Sequence, residues 1–469
     1  MSALGGPVDH DSDLPLHEQL ERRLREDIQA GRLAPGTALP STRGLAAALG
    51  VSRGVVTEAY GQLASEGYLS IRQGAPVRVA AAVQRQRPRE PARSLLPAFA
   101  YDLRPGVPDL AGFPADAWLR SVRAAVRAAP FATLGEPDPR GVPELRETLA
   151  AQLARVRGAA ADPEHVVVCG GFRAGFSALC RWLRGQGADR VAVEDPGWHP
   201  HRLAIEQAGL EVVPVPVDEQ GLRVDALGGV RVVVVTPGHQ FPTGAVLSRE
   251  RRAALVEWAA AHEALIVEDD YDSELSDQRP GALQGLAPER VVLIGSLSKR
   301  LAPGLRLGWM LSPSWLTWAI TSAQAIEAAG GDVIAQLALR DFLERGELER
   351  HLRRMRSRYA ARRATLLEAL RRLPEVRVRE TPPAGLFVLA DCDGDEAAIV
   401  ARAAQAGVGL EGLGLHRFEP GGSGGLVLGY GALAEPALER AVELLSAAVR
   451  RSPEAAARSS SAAAAGAPE

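Results

Sequence analysis

One lysine stands out among the side chains that can do chemistry. The chain carries 54 lysine and arginine residues, and Lys299 is the sole lysine among them. An arginine guanidinium stays protonated and does not readily condense with an aldehyde, whereas the amine of a desolvated lysine does. Because arginine fills every other cationic position, the retention of this lysine favours a chemical role. Chance retention at an ordinary site is the alternative.

An acidic residue that precedes this lysine by 30 positions fits the same kind of site. Asp269 is the first of the two aspartates at the end of the β-prone run ALIVEDD, and Lys299 ends the run VVLIGSLSK. Ligands of open parallel sheets collect beyond the carboxyl ends of strands, and one crossover separates these two strand ends. The pair indicates a Schiff-base cofactor, since a carboxylate can keep a pyridine nitrogen protonated and make the ring an electron sink.

The segments around these residues alternate between strand and helix patterns. After Phe113, helical stretches separate the β-branched runs VVVCGG, VAVEDP, EVVPVPV, VRVVVVTP, ALIVEDD and VVLIGSLSK. Such alternation predicts an α/β fold with a mostly parallel sheet that helices cover on both faces. We assign residues 113–450 to this domain.

A separate unit is expected over residues 14–80. Apolar residues of its first helix recur at helical spacing, at Leu16, Leu20, Leu24 and Ile28. Ser41 can cap a second helix, and Ser52 can cap a third that runs to about Glu66. The next stretch, YLSIRQGAPVRVA, is β-prone with a break in its middle, as in a two-stranded wing.

The remaining segments lack periodic patterns. Residues 81–112 begin with an arginine- and proline-rich stretch that is typical of a linker. Residues 1–13 and the alanine- and serine-rich tail 451–469 are expected to be disordered.

Composition narrows the classes of protein that fit. The chain has no apolar run long enough to span a bilayer and no secretory signal, so we expect a cytoplasmic protein without membrane contact. The net charge of −3 excludes a globally basic nucleic-acid binder, so any DNA contact must be local. Cys169, Cys180 and Cys392 have no metal-ligand spacing, and no metal site is expected.

Motifs along nearly the whole chain resemble one known family. The run FPADAWLR, DPRGVPELRETLA, VAVEDPGWHPHR, VTPGHQFPTG, VEDDYDSEL and GSLSKRLAPGLRLGW resembles fold-type I aminotransferases. Its combination with GRLAPGTALPSTRGLAAALGVSRGVVTEAYGQLASEGYL resembles the MocR subfamily of GntR-type bacterial regulators. The resemblance implies a winged helix-turn-helix fused to a fold-type I aminotransferase-like domain. That domain has a doubly wound, mostly parallel sheet and a smaller C-terminal α+β subdomain.

The resemblance also implies pyridoxal 5′-phosphate (PLP) as the cofactor. Lys299 resembles the lysine that forms the Schiff base, Asp269 the partner of the pyridine nitrogen, and Tyr271 the hydroxyl that meets the phenolic oxygen. Further implied contacts are Ser296, Ser298, Arg306, Gly171, Phe172 and Arg173. Among these, Ser296 and Arg306 resemble phosphate ligands, a task that suits a hydroxyl and a guanidinium fork.

Three aromatic or amide side chains are assigned to the cofactor ring. Trp198 resembles the aromatic that stacks on the pyridine, although packing against neighbours would also account for it. The asparagine that contacts the ring in aminotransferases has no counterpart here, because the chain contains no asparagine. His239 or Gln240 can take its place, and for His239 a merely packed loop histidine is an equal alternative.

The resemblance places the DNA contacts in and around the third helix, whose N-terminal residues enter the major groove. The implied contacts are Arg43, Ser52, Arg53, Thr57 and Arg72. Arg43 resembles a backbone-contacting residue, and Arg53 can read guanine bidentately. An ordinary solvated charge is the alternative for each arginine. The implied partner is a double-stranded operator, bound by a homodimer that forms through the aminotransferase-like domain.

The family pattern is altered where a substrate carboxylate would bind. Aminotransferases usually carry an arginine clamp there, and the matching stretch GGSGGLVLGYGAL contains no arginine, with Arg417 the nearest before it. We therefore expect a regulator that senses PLP or an amine or amino-acid adduct, with transamination weak or absent. An active aminotransferase with a DNA-binding appendage is the second hypothesis. A DNA-binding protein whose large domain is only a dimerisation scaffold is the third.

Overall fold

A computed structural model describes residues 8–80, 98–276, 280–326, 331–382, 384–419, 421 and 423–450. The chain divides into two compact units between Pro97 and Ala98. Most of the predicted N-terminal segment, the first part of the predicted linker and the predicted tail lie outside the described residues.

The first unit has the predicted helix order. Its elements are helices α1 (Leu16–Gln29), α2 (Thr42–Leu49) and α3 (Arg53–Ser65) and strands β1 (Leu69–Ser70) and β2 (Arg78–Val79). The Ser41 side chain accepts a hydrogen bond from the Gly44 amide at 3.1 Å, and Ser52 accepts one from Val55 at 3.4 Å. Strands β1 and β2 pair antiparallel and form the predicted wing.

One buried cluster holds this unit together. It joins Leu20, Leu24 and Ile28 of α1 to Val56, Ala59, Tyr60 and Leu63 of α3. Because these positions recur at helical spacing, each helix turns a single apolar face inward. The opposite face of α3 stays free for contacts outside the unit.

The second unit is built on a large mixed sheet. Its strands are β3 (Tyr101–Asp102), β4 (Val166–Cys169), β5 (Arg190–Asp195), β6 (Glu211–Asp218), β7 (Gly221–Leu222), β8 (Val232–Val235), β9 (Leu265–Asp270), β10 (Val291–Ser296), β11 (Gly308–Leu311), β12 (Val376–Val378), β13 (Phe387–Cys392), β14 (Val408–Gly409), β15 (Glu411–Gly412) and β16 (Gly425–Gly429). Eight of them form one sheet in the order β4-β11-β10-β9-β8-β5-β6-β7. The five central strands run parallel, whereas β4, β11 and β7 join antiparallel.

Helices cover both faces of this sheet. They are α4 (Ala115–Ala128), α5 (Pro143–Arg157), α6 (Phe172–Gly185), α7 (His199–Gln207), α8 (Arg249–Ala261), α9 (Ser314–Ile326), α10 (Val333–Glu344), α11 (Glu347–Leu370), α12 (Glu396–Gln405) and α13 (Glu435–Arg450). Val234 packs in one cluster with residues of α6 and α7, and its neighbours Val233 and Val235 pack in another with α8. Among the helices of the described ranges, none combines the length and apolarity that crossing a bilayer requires.

The C-terminal part forms the smaller subdomain that the family resemblance implies. Strands β12, β13, β16 and β15 make an antiparallel sheet in that order. Helices α11, α12 and α13 contribute Leu366, Ile399 and Leu445 to the cluster that also buries Val388 of this sheet.

The later part of the predicted linker belongs to the second unit. Residues 98–112 fall on its side of the division between the two units. Strand β3 pairs in parallel with β14, and Leu103 is fully buried in the core. The sequence does not reveal where the linker ends and the second unit begins, because strand β3 spans only two residues and shows no periodicity.

The pairing of β9 with β10 places the strand ends that carry Asp269 and Lys299 side by side. Strands β9 and β10 are parallel neighbours, with Asp269 opposite Ile294 and Asp270 opposite Gly295. Both strands end there, at Asp270 and at Ser296. The predicted proximity of the two strand ends is therefore confirmed.

Candidate functional site

A cavity of about 190 Å³ lies at the carboxyl ends of the central strands. Of the twelve residues predicted to bind the cofactor, it brings together ten: Lys299, Asp269, Tyr271, Ser296, Ser298, Arg306, Trp198, Gly171, Phe172 and Arg173. The other two are His239 and Gln240, whose side chains do not line it. The cavity therefore combines an amine, a carboxylate and a cluster of small polar groups.

Lys299 presents its amine to this cavity. Its Nζ donates a hydrogen bond to the Gly106 carbonyl. Burial lowers the pKa of Lys299, while the nearby Asp269 and Asp272 carboxylates act in the opposite direction. Gly106 has φ +74°, and a Cβ there would lie 2.7 Å from Nζ, so a larger residue would displace the amine. Lowering the pKa favours the neutral amine, which is the nucleophilic form.

Asp269 has one carboxylate oxygen engaged and one free. His201 Nε2 lies 3.0 Å from Asp269 Oδ2, whereas Oδ1 is buried and has no hydrogen-bond partner in the described part of the chain. Burial raises the pKa of Asp269, and the hydrogen bond from His201 lowers it. A buried acceptor without a donor is costly, so Oδ1 fits a ligand N–H such as a protonated pyridine nitrogen.

His201 is a functional residue that the sequence analysis missed. It lies on α7, three residues after Trp198 in the motif VEDPGWHPHR. That spacing is one helical turn, so the two rings meet at 5.1 Å in an edge-on arrangement. The signal was present in the motif, but nothing in the sequence pairs His201 with Asp269.

The opposite end of the cavity fits a phosphate. Gly171 (φ 95°) caps the N-terminus of α6, where free amides and the helix dipole favour an anion. Ser296 Oγ donates to Ser298 Oγ at 2.9 Å and accepts from the Ser298 amide at 3.1 Å. Arg306 makes no ion pair with the described residues, so its charge is available to a ligand. These donors suit the phosphate group of PLP.

Three further predicted residues line the cavity. Phe172 and Arg173 are the first two residues of α6, and both line the cavity. Trp198 lines it as well and meets Phe172 edge-on at 5.9 Å. Trp198 therefore both lines the cavity and packs against a neighbour, and its stacking on a pyridine ring stays a prediction.

His239 and Gln240 are buried behind the cavity wall. His239 Nδ1 lies 2.9 Å from Asp272 Oδ2. The backbone carbonyl of His239 accepts a 2.7 Å hydrogen bond from the Tyr271 hydroxyl. Gln240 donates to the Pro196 carbonyl at 2.9 Å and accepts from the Thr243 amide at 3.0 Å. Both side chains thus hold the loop that supports Tyr271. Burial raises the pKa of Tyr271 well above its usual value, so its hydroxyl stays protonated.

Among the described residues of the C-terminal subdomain, no arginine lines the cavity. Arg417 donates to the Gly421 carbonyl and does not line the cavity. Glu411 of β15 and His199 line it, and neither was singled out from the sequence. This part of the wall therefore carries an acidic group.

The predicted DNA contacts lie on the surface of the first unit. Arg43, Ser52, Arg53, Thr57 and Arg72 are all exposed. Arg53 Nε donates to Thr42 Oγ1 at 3.3 Å, and the Thr57 hydroxyl donates to the Arg53 carbonyl at 2.9 Å. Arg53 and Thr57 occupy the first turns of α3 on the side away from the core, and Arg72 lies in the turn between the wing strands.

Comparison with known proteins gives both units a family. Residues 16–79 match the gntR family of bacterial regulatory proteins, and residues 109–410 match aminotransferase class I and II. The chain is 35% identical over 456 residues to the pyridoxine biosynthesis transcriptional regulator PdxR of Corynebacterium glutamicum, covering 93% of this chain and 99% of PdxR. This chain belongs to the MocR subfamily of GntR-type regulators.

Other relatives agree with that assignment. The probable rhizopine catabolism regulatory protein MocR of Rhizobium meliloti is 32% identical over 470 residues, covering 93% of this chain and 94% of that protein. The structure of an archaeal alanine:glyoxylate aminotransferase matches with a TM-score of 0.68 and 26% identity, covering 76% of this chain and 91% of its own. This MocR-type protein is therefore an HTH-type transcriptional regulator with an aminotransferase-like domain, and that fold implies dependence on PLP.

Behind the cavity, this MocR-type regulator carries a buried ionic cluster. Asp270 Oδ2 lies 3.1 Å from Arg157 Nε and 3.1 Å from Arg300 Nη2. Glu274 and Glu268 approach the same two arginines at 3.7 and 3.8 Å. Asp270 and Arg300 directly follow Asp269 and Lys299, so the cluster ties together the two segments that carry the cavity residues.

Proposed function

We propose that this regulator binds PLP covalently through Lys299 and that PLP, alone or with an amine or amino acid, changes DNA occupancy. The observation that carries this proposal is the cavity itself. It faces the Lys299 amine, the unpartnered Asp269 Oδ1 and the unpaired Arg306 guanidinium. Within the described residues, Asp269 Oδ1 and Arg306 lack charged partners that one PLP molecule would provide, and the Lys299 amine, which donates to the Gly106 carbonyl, can condense with the PLP aldehyde.

Each residue has a separate task toward the cofactor. Asp269, oriented by His201, holds the ring nitrogen, and Trp198 and Tyr271 border the ring. Gly171 and Arg306, with the two serines of the SLSK motif, hold the phosphate. When bound, PLP supplies an aldehyde that condenses with amines and a ring that withdraws electrons.

Sensing fits this site better than routine transamination. An aminotransferase needs its substrate carboxylate fixed in one orientation, which a bidentate arginine does well. Strand β16 contains no arginine, and Arg417 donates to the Gly421 carbonyl, so the part of this wall that the structure describes holds no such clamp. We propose that the cofactor side of the site is kept for binding and that turnover is weak or absent.

We also propose that the regulator acts in the cytoplasm as a homodimer formed through the second unit. Its surface exposes a group of large apolar side chains on α4 and the turn after it: Leu119, Val126, Phe131 and Leu134. Phe131 is 94% exposed, and large apolar side chains exposed close together in the chain favour a protein interface. One copy of the mildly basic first unit is expected to bind DNA weakly. A dimer increases the affinity, because two copies bind two half-sites of an operator.

The proposal is tested by measuring DNA affinity with and without PLP. A labelled fragment from upstream of the regulator's own gene is titrated with the full chain, and anisotropy gives the dissociation constant. PLP is expected to change that constant by about 5-fold or more, as typical allosteric couplings do. Lys299→Ala is expected to remove the effect of PLP. An identical constant with and without PLP would refute sensing, and rapid conversion of amino acids to keto acids would favour the aminotransferase hypothesis.

Arg53→Ala is expected to weaken operator binding by at least about 30-fold. A lost bidentate base contact costs about 1–3 kcal/mol, and a dimer loses two. Because Arg53 is exposed, its removal leaves the core of the first unit intact. PLP binding, followed by visible absorbance, should be unchanged. Arg22→Ala removes an exposed arginine from α1 and serves as the matched control. Equal losses for both variants would show that Arg53 acts only through net charge.

A further inference from the structure

Glu411 faces the cavity from the C-terminal subdomain. On β15 it stands directly opposite Val427 of β16. Directly opposed residues of antiparallel strands project from the same face of the sheet. Val427 is fully buried in a cluster against which Trp198 and Tyr271 pack. That face is therefore the one turned toward the cofactor residues, and Glu411 lines the cavity from it.

The carboxylate of Glu411 lies beside the ring of His416. His416 Nε2 lies 3.1 Å from Oε2, but the two groups are not aligned for a hydrogen bond. Arg104 lies in the same region and is engaged by Asp102 at 2.6 Å. The negative charge of Glu411 also acts on Lys299, whose pKa it shifts upward against the larger effect of burial. Its charge is therefore felt at the amine.

The arginines that line the cavity among the described residues are Arg173 and Arg306. Arg173 belongs to the first turn of α6, beside Gly171, and Arg306 borders the same phosphate-binding end. A bound phosphate would neutralise these guanidinium groups. The part of the cavity left for a second ligand would then be dominated by Glu411, which attracts cations and repels carboxylates.

We propose that the second ligand of this cavity, the effector, is an amine with a further cationic group that pairs with Glu411. The effector class is then diamines and related polycations, in contrast to amino acids. This inference rests on the proposed function, since it takes PLP to fill the remainder of the cavity. Glu411 is a specificity-determining residue in this scheme, because it selects the ligand by charge.

The test compares three four-carbon probes that differ only at their distal end. Calorimetry of the full chain, with and without PLP, is run with 1,4-diaminobutane, butan-1-amine and 4-aminobutanoate. With PLP, the diamine is expected to bind at least about 10-fold more tightly than either other probe, as one charge-assisted hydrogen bond contributes that much. Glu411→Gln should weaken diamine binding by about 10-fold and leave butan-1-amine unchanged. Glu439→Gln, which removes an exposed acid of α13, is the control.

Two results would overturn the inference. One is binding of 4-aminobutanoate as tight as that of the diamine. The other is diamine binding that does not change in Glu411→Gln. The proposed function fails separately, because visible absorbance reports PLP binding in the same samples. Protein that never binds PLP would contradict the proposed function and overturn the inference with it, whereas PLP-loaded protein without a diamine preference would overturn the inference alone.

Discussion

Asp270→Ala is expected to lower the free energy of unfolding of the second unit by about 3–5 kcal/mol, the cost of breaking a buried ion pair by removing one partner. Asp270 holds Arg157 and Arg300, and all three side chains are almost fully buried. Without this carboxylate, two guanidinium groups stay in the interior with only the more distant Glu268 and Glu274 to balance them.

Denaturant unfolding followed by tryptophan fluorescence measures this effect selectively. The seven tryptophans all lie between Trp118 and Trp318, so the signal reports the second unit alone. Asp225→Ala is the matched control, because it removes a carboxylate from an exposed pair with Arg223 and should leave the midpoint unchanged. If Asp270→Ala lowers the free energy of unfolding by less than about 1 kcal/mol, the ionic cluster is well hydrated or readily rearranged.

Asp269→Asn is expected to weaken PLP binding by about 100-fold. A carboxamide keeps the shape of the carboxylate and still accepts the hydrogen bond from His201, so the fold should persist. It carries no charge to pair with a protonated ring nitrogen, and losing one partner of a buried charge pair costs about 2–5 kcal/mol. The expected effect therefore falls on affinity and not on stability.

Titration of the protein with PLP, followed by visible absorbance, gives the affinity. Glu268→Gln is the control. Glu268 is the neighbouring buried acid of β9, and its side chain approaches Arg157. Because successive side chains of a strand alternate between its faces, Glu268 points away from the cavity. This variant should bind PLP like the wild type. Unchanged affinity in Asp269→Asn would show that Asp269 does not meet the ring nitrogen.

The sequence was sufficient to predict the frame of the site. Strands that alternate with helices fix where carboxyl ends of strands meet, and Asp269 and Lys299 follow two adjacent parallel strands. The starts of helices α2 and α3 were also predictable from the sequence, because Ser41 and Ser52 accept hydrogen bonds from amides only three residues away. Local periodicity and short-range capping carry this information.

Contacts between distant segments were not predictable in this way. The pairing of His201 with Asp269 spans 68 positions, and the approach of Glu411 to the cavity depends on the register of β15 with β16. Likewise, His239 and Gln240 follow a strand end as ligands would, yet their hydrogen bonds hold the loop behind the wall. Only tertiary packing decides which way such side chains turn.

Borohydride reduction shows whether the ε-amine of Lys299 holds PLP. Protein incubated with PLP is reduced, digested and analysed by mass spectrometry. We expect a pyridoxyl group on the peptide that contains Lys299, the sole lysine of the chain, together with loss of the visible absorbance band. Protein that stays colourless in excess PLP, with an unmodified Lys299 peptide after reduction, would show that this amine does not bind the cofactor.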